Sequence, residues 1–407
     1  MAGGMSDTPA AEDTPLRVDR LQLVGITGAN KVMAGELSRL VRRAYDDVRL
    51  PEPVKEGQGA VSYPFDLRTA AVAVMHHRTA SRVYWNLYRS RAERLEPLYD
   101  DLCAAIAAED RPWLRDGLSF SVNPASTLEF AAGARQLVGV LKNALIDTAA
   151  KRGLTLRVDP DAPDLVFAIK VFEGVVTVSL DLGGQAMNQR GYRSEGGGVA
   201  PLRESVAAML VMLARHDART EAFLDPMAGS GTLAIEAACM ARGRPLWVGG
   251  RRPAAVRLPG FAPLCTALDR PLFGDTRPIV FANELDRATF GQAEGNYRRA
   301  GVDAEVERKC GDFRDIDPDA LRRRVAARGG NPDRGLILCN PPYGERLAPD
   351  ELNGLYRELG TLWRHLPGWR AGFIVANPEF ELAFGQLARV KKPVSNAQLP
   401  AYFLLFD

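Results

Sequence analysis

The apolar positions of this chain change their period along its length, and the changes predict its elements. Leu21, Leu23 and Gly25 alternate as a short strand, Leu37, Leu40 and Val41 recur at helical spacing, and Gly59 to Tyr63 return to a strand pattern. That is a small α+β unit. The next stretch, "LRTAAVAVMHHRTASRVYWNLYRSRAERL", carries aliphatics at helical or strand spacing and interleaves Arg68, Arg78, Arg82, Arg89, Arg91 and Arg94 with Tyr84, Trp85 and Tyr88. A solvated arginine face is the ordinary explanation of such a run. The alternative is an RNA-facing surface on which guanidinium groups meet phosphate and rings stack on bases. "ASTLEFAAGARQLVGVLKNALIDTAAKRG" opens with Ser126 and Glu129 at capping-box spacing and closes at Gly153, which predicts one or two helices. "DLVFAIKVFEGVVTVSLDL" predicts a hairpin turning at Glu173-Gly174.

The pattern changes near Gly183. "GGQAMNQRGYRSEGGGVAPLRES" is rich in glycine and polar residues and leads into a helix over about Arg203 to Arg215. Downstream, strand-like and helix-like segments alternate: "EAFLDPMAGSG", "TLAIEAACMARG", "PIVFANELD", "RATFGQAEGNYRRAG", "AEVERKCGDF", "GLILCNPPYG" and "AGFIVANPE". Repeated β-then-α units predict an α/β, doubly wound parallel sheet covered on both faces. The expected organisation is a disordered lead-in over 1–16, a region over 17–182, and a second domain over 183–407.

Composition narrows the function classes. A chain of 407 residues with 46% hydrophobic and 25% charged residues is folded, and its length favours more than one core. No apolar run approaches the eighteen or so residues of a membrane span, and the N-terminus has neither a basic nor an apolar signal region. Cys103, Cys239, Cys265, Cys310 and Cys339 are scattered without a C-x-x-C pair, so neither a zinc site nor a disulfide framework is expected, and a reducing cytoplasm fits. A net charge of +2 excludes a uniformly basic surface but leaves room for local phosphate-binding patches.

Candidate chemistry gathers at the predicted strand ends, where sheets of this kind bind ligands. The first strand ends at Asp225, and "PMAGSGT" follows, with Gly229 and Gly231 permitting a tight turn onto a helix N-terminus. No lysine follows Gly231, which excludes a Walker A loop; Ala234 stands at the third glycine position of a dinucleotide fingerprint. Glu284 ends the next strand, where a carboxylate can take both hydroxyls of a ribose. Asp312 and Phe313 follow the third, suited to an adenine amino group and ring face, or alternatively to a helix cap and a core aromatic. The fourth strand ends in "NPPY". An exocyclic amine on a nucleobase is a poor nucleophile until acceptors hold its protons, and the Asn340 side chain and the Pro341 carbonyl can do so. Pro341 and Pro342 stiffen the turn, and Tyr343 offers a stacking face.

"DPMAGSGT" with "NPPYGERL" resembles the S-adenosylmethionine-dependent methyltransferases that act on exocyclic amino nitrogens. "DLGGQAMNQRGYR", "APLRES" and the terminal "KKPVSNAQL" narrow the resemblance to the THUMP-domain RNA methyltransferases, especially the bacterial 23S rRNA guanine-N2 enzymes. It implies a class I (Rossmann-like) methyltransferase domain behind an α+β ferredoxin-like and THUMP RNA-binding region. S-adenosyl-L-methionine is the implied cofactor, held by Asp225, Met227, Gly229, Ser230, Gly231, Glu284, Asp312 and Phe313, with Asn340 to Tyr343 catalytic. The implied partner is structured RNA, with rRNA foremost, and Arg190, Arg193, Arg251, Arg252 and Arg346 are expected to touch it. Neither a metal nor a membrane is expected, and a monomer is the simplest state. Three departures stand out: "GITGANKVMAGEL" near the N-terminus, Ala228 where a cysteine is common, and Asn396-Ala397 where Asn-Gly is usual.

Two features lie outside these motifs. "RGRPLWVGGRRPAAVRLPGFAPLCTAL" holds Arg242, Arg244, Arg251, Arg252 and Arg257 and no acidic residue; it reads as a solvated surface insertion or as a flap over RNA. Cys339 adjoins the catalytic motif, but a small thiol on an apolar strand reads as packing rather than as the nucleophile of carbon-5 pyrimidine methylation.

Overall fold

The computed structural model describes residues 16–91, 94–107, 111–126, 133–172, 174–193, 202–342, 348–396 and 399–407. The first part runs β1 (Leu16–Val24), α1 (Asn30–Ala44), β2 (Val54–Lys55), β3 (Ala60–Pro64), α2 (Leu67–His76) and β4 (Arg82–Ser90). It continues through α3 (Leu95–Ala107), β5 (Ser119–Ser126), α4 (Ala134–Lys151), β6 (Arg157–Val158), β7 (Leu165–Phe172) and β8 (Val175–Asp181). Its strands join in one mixed sheet of order β2-β3-β1-β4-β8-β7-β5-β6. Local chemistry sets the boundaries. The Asp66 side chain accepts from the Thr69 amide at 2.8 Å to start α2, and Gly153 in the left-handed region follows the end of α4. The predicted hairpin is present as β7 and β8, with Phe172 opposite Val175. Ser126 ends a strand instead of capping a helix. Glu129 and Glu173, and residues 1–15 of the predicted lead-in, lie outside the described residues.

The second part runs α5 (Glu204–Leu213), β9 (Ala222–Asp225), α6 (Thr232–Arg242), α7 (Phe261–Leu268), β10 (Val280–Glu284), α8 (Arg287–Arg299) and β11 (Val306–Cys310). Then come α9 (Pro318–Ala327), β12 (Gly335–Cys339), α10 (Pro349–Arg364), β13 (Trp369–Val375), α11 (Phe380–Phe384), β14 (Val390–Asn396) and β15 (Leu399–Phe406). The sheet order is β11-β10-β9-β12-β13-β15-β14. The five strands of the alternating region are parallel, as the β-then-α pattern requires. The last two form an antiparallel hairpin added to the edge beside β13, so the sheet is mixed; two residues between β14 and β15 are too few for a crossover.

Alternate residues of the parallel strands enter different cores. Phe223, Val280, Ala282, Leu336 and Leu338 pack on one face, and Leu224, Phe281, Ile337 and Cys339 on the other. The first of these cores runs without interruption into Leu21, Val83, Phe167 and Leu180 of the N-terminal sheet. The two parts therefore share apolar contact, and α6, buried from Thr232 to Met240, lies at their junction.

That junction contains a buried charge cluster. Glu236 of α6 accepts from Arg78 Nη1 at 3.0 Å, Arg190 Nε at 2.8 Å and the Tyr192 hydroxyl at 3.2 Å. Arg78 and Arg190 are 3% and 1% exposed. Neither lies on a solvated or RNA-facing surface, which corrects both readings of Arg78 and the expected RNA contact of Arg190. Composition alone places arginine outside, but here a carboxylate and the carbonyls of Met187, Arg78, Arg244 and Pro245 satisfy the guanidinium donors.

The arginine-rich stretch between α6 and β10 is anchored to the first part and is not a plain solvated loop. The Leu246 amide donates to the Met75 carbonyl at 2.6 Å, the Trp247 indole N–H donates to the Val74 carbonyl at 2.7 Å, and His76 Nε2 lies 2.8 Å from the Leu268 carbonyl. Its apolar residues anchor it against α2, while Arg242 and Arg244 meet Glu305. Replacing Glu236 with alanine would leave two buried guanidinium groups without a counter-ion, a defect that costs about 3–5 kcal/mol. The expected result for Glu236→Ala is an unfolding free energy, from urea titration, lowered by that amount, and an unchanged value would contradict the assigned role of the cluster.

Candidate active site at the strand ends

Strand order reverses at β9, which has β10 on one side and β12 on the other, so a crevice opens at its carboxyl end. Register places the candidates around it. Leu224 pairs with both Phe281 and Ile337, so Glu284 and Asn340 each lie three residues beyond that level on opposite flanks. With strands spaced just under 5 Å, those flanks are about 10 Å apart.

The loop after β9 is held in one shape. Gly229 has φ +53° and Gly231 φ +83°, conformations costly for other residues. A Cβ on Gly231 would also lie 2.6 Å from the Tyr297 ring. The Gly229 amide donates to Glu284 Oε2 at 2.8 Å, and Asn296 Nδ2 donates to the Ser230 carbonyl at 2.9 Å. Gly231 caps α6 without a side-chain acceptor, so the opening amides of the helix face the crevice free of a side-chain cap. Met227 packs against the second core.

Asp225 is buried at the base of this loop, its Oδ1 accepting from the Met227 amide at 3.3 Å. Burial pushes its carboxyl up to about 8, the Met227 bond opposes the rise, and the nearby Glu284 charge adds to it. Cys339 is buried as well, its thiol pushed well above the usual range by burial and then by Asp225. A thiolate nucleophile there is disfavoured, in agreement with the packing role.

The third strand end differs from the simplest expectation. Asp312 accepts from the Arg314 amide at 3.0 Å and pairs with the Arg314 guanidinium at 2.9 Å, so it caps a short 3-10 turn. Phe313 is 5% exposed and belongs to the second core, so its ring face is not presented to the crevice. At the fourth, Asn340 is half-buried, Pro341 is buried, and the Pro342 carbonyl accepts from the Tyr356 hydroxyl of α10 at 3.0 Å. Tyr343 and Arg346 lie outside the described residues.

Two residues escaped the sequence reading. Asn283 Nδ2 donates to the Pro226 carbonyl at 3.2 Å and the Gly311 carbonyl at 2.8 Å, and its own carbonyl accepts from the Ala228 amide at 2.8 Å. From within β10 it thus ties the loops after β9 and β11 together, and its Oδ1 is buried without a partner among the described residues. The signal was a lone amide inside the apolar run "VFANE". Leu285, the residue after Glu284, is 67% exposed, an apolar surface at the crevice that an adjoining ring would cover. Of the remaining arginines, Arg193 pairs with Glu204 and donates to the Thr232 hydroxyl at 2.8 Å, which ties it to the loop instead of freeing it for RNA. Arg251 and Arg252 are exposed, Arg251 donating to the Gln189 carbonyl and Arg252 pairing with Asp269.

Residues 190–402 match the model of the RMKL-like methyltransferase domain. The chain belongs to that family. It is 32% identical over 389 residues to the "Ribosomal RNA large subunit methyltransferase K/L" of Syntrophotalea carbinolica, with 87% of this chain and 50% of that protein covered. It is 31% identical over 385 residues to the protein of the same name in Methylococcus capsulatus, with 88% and 48% covered. The chain therefore spans about half the length of the curated relatives it matches. Among solved structures, a possible methylase from Clostridium difficile 630 shares 25% identity at a TM-score of 0.78, covering 95% of this chain and 97% of that one. In this RMKL-like domain, the glycine turn, the free helix amides, the flanking carboxylate and the exposed Leu285 fit an adenosyl group with a charged tail. Among the described residues, no His, Cys, Asp and Glu group suits a metal ion, and no helix is long and apolar enough to cross a membrane.

The buried Asp225 makes stability pH-dependent. Its folded pKa of about 8 lies above the ordinary 3.8, so between these values the folded chain holds a proton that the unfolded chain releases, and stability falls as pH rises towards 8. The buried His76 and the half-buried His216, both lowered to about 4, oppose this only below the ordinary histidine value of 6.5. The expected outcome is that, from about pH 6.5 to 7.5, Asp225→Asn reduces the downward slope of unfolding free energy by about 1.4 kcal/mol per pH unit. Parallel slopes in urea titrations of the two proteins would contradict the proton assignment.

Proposed function

We propose that the chain is an S-adenosylmethionine-dependent RNA methyltransferase that modifies the exocyclic N2 amine of a guanine in large-subunit ribosomal RNA. The observation that carries this reading is the Asn340-Pro341-Pro342 turn at the end of β12, flanking the crevice opposite Glu284. The names of the curated relatives support the RNA class. Residues 183–407 are taken as a class I methyltransferase domain. Residues 17–182 are taken as a ferredoxin-like and THUMP module that captures RNA, working in the cytoplasm.

The cofactor would lie over the Asp225–Gly231 loop, with the Glu284 carboxylate at its ribose and Leu285 and the 311–312 turn beside its adenine. When bound it supplies an electrophilic methyl group. The chain's own contribution is positioning. Asn340 Oδ1 and the Pro341 carbonyl accept the two protons of the flipped guanine's amine, freeing its lone pair from the ring. Pro341 is buried and the bond from Tyr356 holds the Pro342 carbonyl, which restrains the backbone that carries these acceptors. The proton displaced on transfer passes to solvent.

The deciding experiment offers labelled S-adenosylmethionine and unmodified large-subunit rRNA, tRNA or DNA to the protein, followed by nucleoside analysis. N2-methylguanosine confined to the rRNA is the expected product. N6-methyladenine would overturn the substrate, and no transfer to any of the three would overturn the activity. With that assay established, Asn340→Ala should lower kcat by about 10²–10³-fold and leave the cofactor Kd within about twofold. Equal losses in both would place Asn340 in cofactor binding.

A further inference from the structure

A second cavity lies at the opposite edge of the methyltransferase sheet. It has a volume of about 620 Å³ and is lined by α1, the turn between α5 and β9, the last turns of α6 and the loop at 273–276. β9 separates it from the crevice: Arg215 to Arg219 precede the strand at its amino end, and Asp225 closes the other. Along α6, Thr232 borders the crevice and Met240 the cavity, a span of about 12 Å at helical rise.

Four arginines line it, and three lack a carboxylate partner among the described residues. Arg219 is paired with Asp217 at 3.1 Å. Arg43 donates only to the Leu272 carbonyl, and Arg39 rests over the Phe273 ring at 5.1 Å. Arg215 has no side-chain partner among the described residues, and Asp275 is the remaining acid of the lining.

Arg215 supplies a second, independent observation. The amide of His216 donates to Val211 and that of Arg215 to Met212, the bonding pattern of a helix end whose next residue sits in the left-handed region. Glycine ordinarily takes that seat, yet arginine occupies it at φ +51°. The strained backbone holds an exposed guanidinium at the mouth of the cavity, and strain of this kind clusters where a side chain is used.

We infer that this cavity binds phosphodiester groups of the RNA backbone, on the far side of the sheet from the modified base. This rests on the reading of the chain as an RNA methyltransferase. Guanidinium groups suit phosphate through paired N–H donors and remain charged at any working pH. The separation of the two sites means that an RNA segment reaching both would wrap the edge of the domain, so the arginines set affinity and orientation without touching the reacting base.

The test is binding of an unmodified large-subunit rRNA transcript to the full chain across a salt series, with Arg215→Gly and Arg39→Ala/Arg215→Gly as variants. Glycine fits the left-handed seat, so Arg215→Gly should unfold at the same temperature as the parent or higher, which removes misfolding as an explanation. For the double variant, loss of two phosphate contacts should lower the log–log salt slope by about 1.5 and raise Kd about tenfold near 0.1 M salt. The loss should appear in KM for RNA more than in kcat. Unchanged slopes, with methyl transfer by the parent intact, would overturn the inference alone; failure of the parent to methylate any RNA would overturn the function instead. If inorganic phosphate or AMP at about 10 mM stabilised the parent and not the variants while RNA slopes stayed equal, the cavity would be a free-anion site and the RNA assignment would fall.

Discussion

The structure depends on one buried carboxylate. Glu236 is fully buried on α6 and joins Arg78, which follows α2, to Arg190 and Tyr192, which follow the last strand of the first sheet. Taking three charged groups out of water is unfavourable unless every donor and acceptor is matched, so the cluster forms as a whole or not at all. Such a junction tolerates little sliding, whereas apolar packing alone could accept small shifts. The second consequence is positional. The helix that carries Glu236 begins at the glycine turn, so the buried cluster and the candidate active site are two ends of one rigid element. A chain of bonds reinforces this link: the Tyr192 carbonyl accepts from Arg299, Arg299 donates to Asn296, and Asn296 donates to Ser230.

Much of the fold was legible because burial has a period. β12, "GLILC", is buried throughout and reads as a central parallel strand, and the alternating β and α segments after Gly183 became five parallel strands. The hairpin β7–β8 and the helix of residues 204–213 were equally clear. What escaped were partnerships between distant segments. Arg78 looks the same in sequence whether it faces water, RNA or Glu236, 158 positions away, because periodicity reports a buried face and not what occupies the other side. The stretch "RGRPLWVGG" suggested a surface insertion through its arginines, although Leu246 and Trp247 bond to the end of α2. The terminal antiparallel hairpin was missed because the preceding parallel units set an expectation that two connecting residues cannot satisfy.

The candidate site divides along the same line. Gly229, Gly231 and Glu284 were identified by position at strand ends, and a single hydrogen bond joins the turn to that carboxylate. Phe313 was misplaced because an aromatic after a strand end serves a ring ligand or a core equally well, and here the second core closes over it. Asn283 was overlooked because its work is done by backbone partners that no spacing rule encodes. Its three bonds join the loops after β9 and β11 across β10, which makes the residue as necessary to the crevice as those that face it.

The arginines show how the same residue type separates structural from binding roles. Arg78 and Arg190 are buried against a carboxylate and carbonyls that satisfy them; removing the counter-ion leaves a charge in low dielectric. Arg39 and Arg215 are exposed, without carboxylates, and one of them occupies a backbone conformation that glycine would adopt more easily. A guanidinium held in a strained seat, without a carboxylate partner among the described residues, keeps its paired N–H donors available to a phosphate from outside the chain. Since the cavity lies at the amino edge of the sheet and the crevice at the carboxyl edge, a partner that reaches both has to follow α6 past the domain's edge. A nucleic-acid strand, with a phosphate every few ångströms, meets that requirement where a single small anion does not.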